Sequence, residues 1–419
     1  MMKSADATDG TVCFMQGSNV YNKGQGVKNM DYNKLLSESA VKMRPSGIRK
    51  FFDLAAEMPE CISLGVGEPD FQTPWDIRDA AIHSLEIGRT KYTANSGLKE
   101  LREAICEYMK RKFDLSYELN ETLVTVGGSE AIDLAIRALV EPGDEVIIPE
   151  PCYVSYEPIT TLTHGVPVHV ACLEENDFRI TAEQIKAVLT PKTKILVLGF
   201  PNNPTGAALR HEDLEAIAEV LRDTNVTILS DEIYAELVYG MKHESIAAFE
   251  GMKERTVLVG GFSKTFSMTG WRLGFACGPK ELIAAMTKIH QSCIMCAPTT
   301  SQFAAITALR DCDDDVVEMR KQYDLRRQYC VRKLNEMGLK TFEPRGAFYV
   351  FPNITSSGMS SEEFCQKLLQ EKHVAIVPGT AFGDAGEGFA RISYAYSIDH
   401  LREAFKRIAE FLEEHKGEN

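Results

Sequence analysis

Lys264 lies in Gly260-Gly261-Phe262-Ser263-Lys264-Thr265-Phe266-Ser267-Met268-Thr269-Gly270-Trp271-Arg272-Leu273-Gly274, just beyond the apolar run Thr256-Val257-Leu258-Val259. A lysine leaving a buried strand end is partly desolvated. Its pKa falls, and its amine becomes a nucleophile toward carbonyls, able to form a Schiff base. Most lysines are simply exposed loop residues, so this reading depends on the company Lys264 keeps. Asp231 closes the run Val226-Thr-Ile-Leu-Ser230, and Tyr234 follows three residues later, putting a carboxylate and an aromatic hydroxyl at one sheet edge. Alone, an Asp there is more often a helix cap. Arg391 is the one charge in the strand-like stretch Gly388-Phe-Ala-Arg-Ile-Ser-Tyr-Ala395, where it must meet an anion.

Two further stretches suit a phosphate and a flat ring. Leu123-Val-Thr-Val126 runs through Gly127-Gly128-Ser129 into an almost wholly apolar helix ending near Val140. Strand, glycine turn and helix N-terminus present free backbone N–H groups to an anion, which Gly128 and Ser129 would take. The glycines of a dinucleotide fingerprint and the Gly-Lys-Ser/Thr of a P-loop are both missing. In Pro151-Cys-Tyr153-Val-Ser-Tyr156 an aromatic residue could stack on a heterocycle, and Phe200-Pro-Asn-Asn203-Pro-Thr-Gly206 is a polar turn rich in rigid residues. Arg137 interrupts the apolar helix. Either it pairs with an acid or it reaches into a pocket to read a distal carboxylate.

The elements carrying these residues alternate. Apolar runs at Glu145–Pro149, Val166–Val170, Lys194–Leu198, Val226–Ser230 and Thr256–Val259 are separated by amphipathic helical patterns. This predicts a largely parallel sheet covered on both faces, with its site at the carboxyl ends of the strands. Beyond Cys277 come long helices and then a strand over Phe342–Phe351, which predicts a smaller α+β domain. The expected division is a disordered tail at 1–30, an arm at 31–74 joining the small domain, a large domain at 75–300 and the small domain at 301–419.

The chain has 419 residues, 44% hydrophobic and 25% charged, enough for two domains of an ordinary soluble protein. Its 46 basic and 60 acidic residues leave a net charge of -14, which argues against non-specific binding to nucleic acid or anionic membranes. Eleven cysteines without framework spacing read as reduced thiols of a cytoplasmic protein. The lone Cys293-x-x-Cys296 lacks partners for a zinc site, so no metal is expected. No apolar stretch is long enough for a membrane span, and no export signal is evident at the N-terminus.

The Lys264 segment resembles that of class I pyridoxal-phosphate aminotransferases, and the resemblance runs from about Ser46 to the C-terminus. It includes Gly65-Val-Gly67-Glu-Pro-Asp-Phe71, Tyr92-Thr-x-x-x-Gly-Leu, the Asn203 turn, Asp231-Glu-Ile-Tyr234 and the Arg391 strand. The resemblance implies an α/β fold of the fold-type I transferases, a mostly parallel seven-stranded sheet with a smaller α+β domain. It implies pyridoxal 5'-phosphate as cofactor, held covalently by Lys264, with Asp231 on its pyridine nitrogen, Tyr153 against its ring, and Asn203 and Tyr234 on its phenolic oxygen. Gly128, Ser129, Ser263 and Arg272 would hold the phosphate, joined by Tyr92 from the other subunit of a homodimer with shared active sites. Gly67, Asn203 and Arg391 would bind the substrate, with Arg391 making a two-pronged contact to the α-carboxylate that suits a guanidinium.

The implied reaction is transfer of an amino group from an L-amino acid, aspartate or aromatic or related, to a 2-oxo acid such as 2-oxoglutarate. A carbon–sulfur β-lyase is the alternative on the same scaffold. A DNA-binding regulator would need a module that the short N-terminal segment has no room for, and a dehydrogenase would need the missing fingerprint glycines.

Overall fold

The computed structural model describes residues 31–43, 58 and 60–416. The tail expected at 1–30 and the Ser46–Phe52 stretch lie outside the described residues. Residues 1–42 form one unit, in which a single 3-10 turn at Tyr32–Lys34 and a short helix at Glu38–Lys42 are described. Residues 43–419 form the other.

The second unit is built on seven strands, β2 (Thr122–Thr125), β3 (Glu145–Glu150), β4 (Val166–Ala171), β5 (Thr193–Leu198), β6 (Thr227–Asp231), β7 (Thr256–Gly261) and β8 (Gly274–Cys277). They lie in the order β2-β8-β7-β6-β5-β3-β4. β4, β3, β5, β6 and β7 pair in parallel, whereas β8 runs antiparallel to both of its neighbours. Alternate residues feed opposite faces, as a pleated strand requires. Ile147, Leu196 and Ile228 pack with Leu214, Ile217 and Leu221 of the helix His211–Leu221. On the other face Val146, Ile195, Val197, Leu229 and Val257 pack with Ala131, Leu134 and Ala135 of the helix Gly127–Leu139. Each such Ile or Leu side chain stabilises the fold by roughly 1.5–3 kcal/mol through burial.

Two expectations need correction. β4, at one edge of the sheet, is not fully covered: Val166 is exposed and only Val170 is buried, whereas β2 at the other edge is buried throughout. The strand expected over Phe342–Phe351 shrinks to β9, Tyr349–Val350. Ala347, at φ +57°, turns the chain just before it, and Gly346 keeps only an isolated bridge to Val238.

Beside the main sheet, β9 pairs with β12 (Ala390–Ser393), which pairs with β11 (Val377–Pro378), all antiparallel. β1 (Ile62–Ser63) pairs in parallel with β10 (Val374–Ala375), tying the segment that leads into Gly67 to the C-terminal part of the chain.

Candidate active site

A cavity of about 300 Å³ opens where the carboxyl ends of β2, β3, β5, β6 and β7 meet the C-terminal strands. It is lined by Gly67, Gly128, Ser129, Tyr153, Asn203, Asp231, Tyr234, Ser263, Lys264, Arg272 and Arg391, all of them singled out in the sequence. Crossover connections of a parallel sheet leave their loops at this end, so separate motifs converge there.

Lys264 sits three residues past β7. Phe262 and Phe266 on either side are buried in the core, which leaves the lysine directed at the cavity. It is half-buried, and Nζ donates to the Gly67 carbonyl at 2.7 Å. Burial, with help from the nearby Arg391 and Arg272 charges, lowers its pKa from 10.5 to about 8, and Glu68 opposes the shift. The amine is therefore neutral far more often than that of an exposed lysine.

Asp231 ends β6, buried. Its Oδ2 accepts from the Tyr156 hydroxyl at 2.8 Å and its Oδ1 from the Ile233 N–H at 3.2 Å. Burial pushes its carboxyl up, against the pull of those two hydrogen bonds. Both partners are neutral, so the carboxylate lies against the cavity without a paired cation among the described residues, a demand that a protonated ring nitrogen would meet.

At another wall the helix Gly127–Leu139 begins. Gly127 has φ +78°, a left-handed conformation that suits glycine, and a Cβ there would lie 2.7 Å from the Arg272 guanidinium. The guanidinium thus covers the start of a helix whose first N–H groups have no intrahelical acceptor. Ser129 Oγ lies 3.1 Å from the Tyr153 hydroxyl, in a cluster that joins the helix start to the aromatic wall.

Arg391 in β12 is almost fully buried and has no acid paired with it among the described residues. Nη1 donates to Asn203 Oδ1 at 2.8 Å, Nη2 donates to the Gly65 carbonyl, and Nε is without a partner. The guanidinium carbon lies 4.6 Å from the ring centres of both Tyr349 and Phe382. Burial lowers the Arg391 pKa, which marks an uncompensated cation awaiting an anion.

Two residues separate from the rest. Tyr92 is 81% exposed and lines no part of this cavity. Arg137 is exposed, pairs through Nε with Asp133 Oδ2 at 2.7 Å as the structural alternative expects, and does not line this cavity. Sequence reasoning missed three residues: Tyr156 on Asp231, and Tyr349 and Phe382 around Arg391. Aromatic residues in apolar surroundings read as core, and only the Arg-Gly-Ala-Phe-Tyr turn before β9 could have hinted at Tyr349.

A nucleophilic amine, a buried acid lacking a cation, a helix start beside a guanidinium and a buried arginine lacking an anion together fit pyridoxal 5'-phosphate and an amino-acid carboxylate. Comparison with known proteins agrees. The family described as Aminotransferase class I and II matches residues 59–408. A putative aminotransferase of Bacillus subtilis is 54% identical over 378 residues, covering 90% of this chain and 98% of the relative. An aspartate aminotransferase of Pyrococcus abyssi is 47% identical over 385 residues, covering 91% and 99%. The solved aromatic aminotransferase from Pyrococcus horikoshii OT3 superposes with a TM-score of 0.84 at 44% identity, covering 87% of this chain and 99% of that one.

Proposed function

The chain belongs to the class I and II aminotransferases, fold-type I enzymes that transfer amino groups with pyridoxal phosphate, and from that premise we propose how its residues divide the work. Bound in the cavity, the cofactor supplies an electron sink for the bond broken at the donor's α-carbon. Lys264 would hold the cofactor through its aldehyde and, once the amino acid has displaced it, would serve as the base that carries the proton from the α-carbon to the cofactor. Its lowered pKa of about 8 suits it to both tasks near neutral pH. Asp231 keeps the ring nitrogen protonated, and the support is its burial without a cation. Tyr156 orients that carboxylate.

Asn203 and Tyr234 donate to the phenolic oxygen. Asn203 Oδ1 is already taken by Arg391, which leaves its amide N–H groups to face the cavity. Gly128, Ser129, Ser263 and Arg272 hold the phosphate, and Tyr153 lies against the ring. Arg391 clamps the substrate α-carboxylate beside Gly67, which selects the bond that is broken.

The donor we propose, following the names of the relatives, is aspartate, an aromatic or a related amino acid, and the acceptor we propose is 2-oxoglutarate. We also propose a cytoplasmic homodimer that completes each phosphate site with the partner subunit's tyrosine equivalent to Tyr92. Tyr92, Ile294 and Met295 are exposed, and Asn95 Nδ2 bonds the Met295 carbonyl at 2.9 Å, so these apolar side chains share one region of the surface. The same reading divides the chain into a large domain at 75–300 and a small domain at 301–419, with an arm at 31–74 that joins the small domain.

The observation that carries the proposal is the nucleophilic Lys264 and the unpaired Arg391 in one cavity with Asp231. The test is a half-reaction screen. Each amino acid is added to the cofactor-loaded enzyme, loss of the cofactor absorbance is followed, and a 2-oxo acid is then added. Return of the starting absorbance supports amino transfer with that pair. Loss without return, with release of ammonia and a keto acid, would defeat it.

A further inference from the structure

We propose that Tyr349 is a positioning residue of this reaction: its hydroxyl holds that of Tyr234 in the donating orientation, and its ring supports Arg391. The proposal rests on the reading that Tyr234 serves the cofactor's phenolic oxygen.

The two hydroxyl oxygens lie 2.8 Å apart, on rings inclined at 79°. Both side chains are buried, and neither hydroxyl has another hydrogen bond among the described residues. Each phenol has one proton. If Tyr234 donates to Tyr349, nothing remains for an acceptor in the cavity. If Tyr349 donates to Tyr234, the Tyr234 proton is free to point at that acceptor. An anionic oxygen beside Tyr234 selects the second arrangement, because a charge-assisted hydrogen bond outweighs a neutral one and polarises the bond behind it. Burial pushes both phenols above their ordinary range, so both protons are present at neutral pH.

The surroundings fix Tyr349 in this place. A Cβ at position 67 would collide with its hydroxyl, so Gly67 provides the space the hydroxyl occupies. Its ring centre is 4.6 Å from the Arg391 guanidinium carbon, as is that of Phe382. One side chain thus touches both the donor to the cofactor oxygen and the clamp for the substrate carboxylate.

The test titrates the absorbance of the bound cofactor against pH in the wild type, Tyr234→Phe, Tyr349→Phe and the double variant. Tyr349→Phe deletes one oxygen and keeps the buried ring, so folding and cofactor loading survive. A donor to the phenolic oxygen withdraws electron density and lowers the pH of the spectral transition, so losing it moves the transition up. We expect Tyr234→Phe to raise the midpoint, and Tyr349→Phe to raise it by about half a pH unit, with kcat/KM about 3- to 10-fold lower, as for one weakened hydrogen bond. Adding Tyr349→Phe to Tyr234→Phe should move the midpoint no further.

A shift for Tyr234→Phe without one for Tyr349→Phe overturns this proposal and leaves the Tyr234 reading intact. No shift for Tyr234→Phe overturns both. A Tyr349→Phe shift undiminished in the double variant also overturns it, since Tyr349 would then act without Tyr234. Tyr349→Leu, which removes the ring beside Arg391, should raise the donor KM above that of Tyr349→Phe; equal values would overturn the supporting role.

Discussion

With its pKa near 8, about one Lys264 amine in ten is neutral at pH 7, against about one in three thousand for a lysine at 10.5. The neutral amine is the form that attacks a carbonyl, so its population is about 300-fold greater than an exposed lysine would offer. The cause is desolvation, reinforced by Arg391 and Arg272 and opposed by Glu68. Arg391→Gln should therefore raise the pKa and Glu68→Gln lower it. The assay is competitive labelling of cofactor-free protein with trace acetic anhydride from pH 6 to 11, with each lysine quantified by mass spectrometry. Lys264 should label with a midpoint near 8.

The same shift has a consequence for stability. The folded chain releases this proton near pH 8 and the unfolded chain near 10.5, so the unfolded state binds more protons between those values. Cofactor-free protein should gain roughly 3 kcal/mol from this group as pH rises through that window, a gain that Lys264→Met lacks. A Lys264 midpoint above 10 would refute the reasoning, because the cavity would then not desolvate the amine.

Other perturbations separate the parts of the site. Arg391→Lys should lower kcat/KM about 30-fold or more while cofactor absorbance is retained, since an ammonium cannot reproduce the two-pronged contact; steady-state kinetics with the best donor checks it. Gly67→Ala should displace Tyr349 and, with it, the Tyr234 contact, lowering kcat/KM while the circular dichroism of the fold is unchanged. Arg137→Ala should leave relative turnover of acidic and aromatic donors unaltered and change stability by less than about 1 kcal/mol, as for an exposed ion pair on one helix; a selective loss of aspartate or glutamate turnover would count against the outward placement.

Much of this site was legible because its chemistry sits at strand ends. An apolar run followed by Lys264, Asp231, Asn203 or Gly128 announces both the strand and the turn that presents the residue, and in a parallel sheet those turns share one edge. Arg391 was legible for another reason, a lone charge in an apolar strand, and its isolation from any acid among the described residues matches that reading. What local pattern could not convey was orientation. Arg137 sits among apolar neighbours in sequence, yet the helix turns it outward to Asp133. Tyr92, just before Gly97, is well exposed, and it lines no part of the cavity.

By itself, the order of residues determined the alternation of strands and helices, the edge at which the chemistry gathers, and the types of group gathered there. Those are consequences of local hydrophobic period and of the cost of burying an unpaired charge. Tertiary structure alone decided who meets whom: Tyr156 on Asp231, Tyr349 between Tyr234 and Arg391, Phe382 beside the guanidinium. The two tyrosine hydrogen bonds join residues 75 and 115 positions apart, and an aromatic side chain carries no local mark distinguishing a place in the core from a place at the wall of a site.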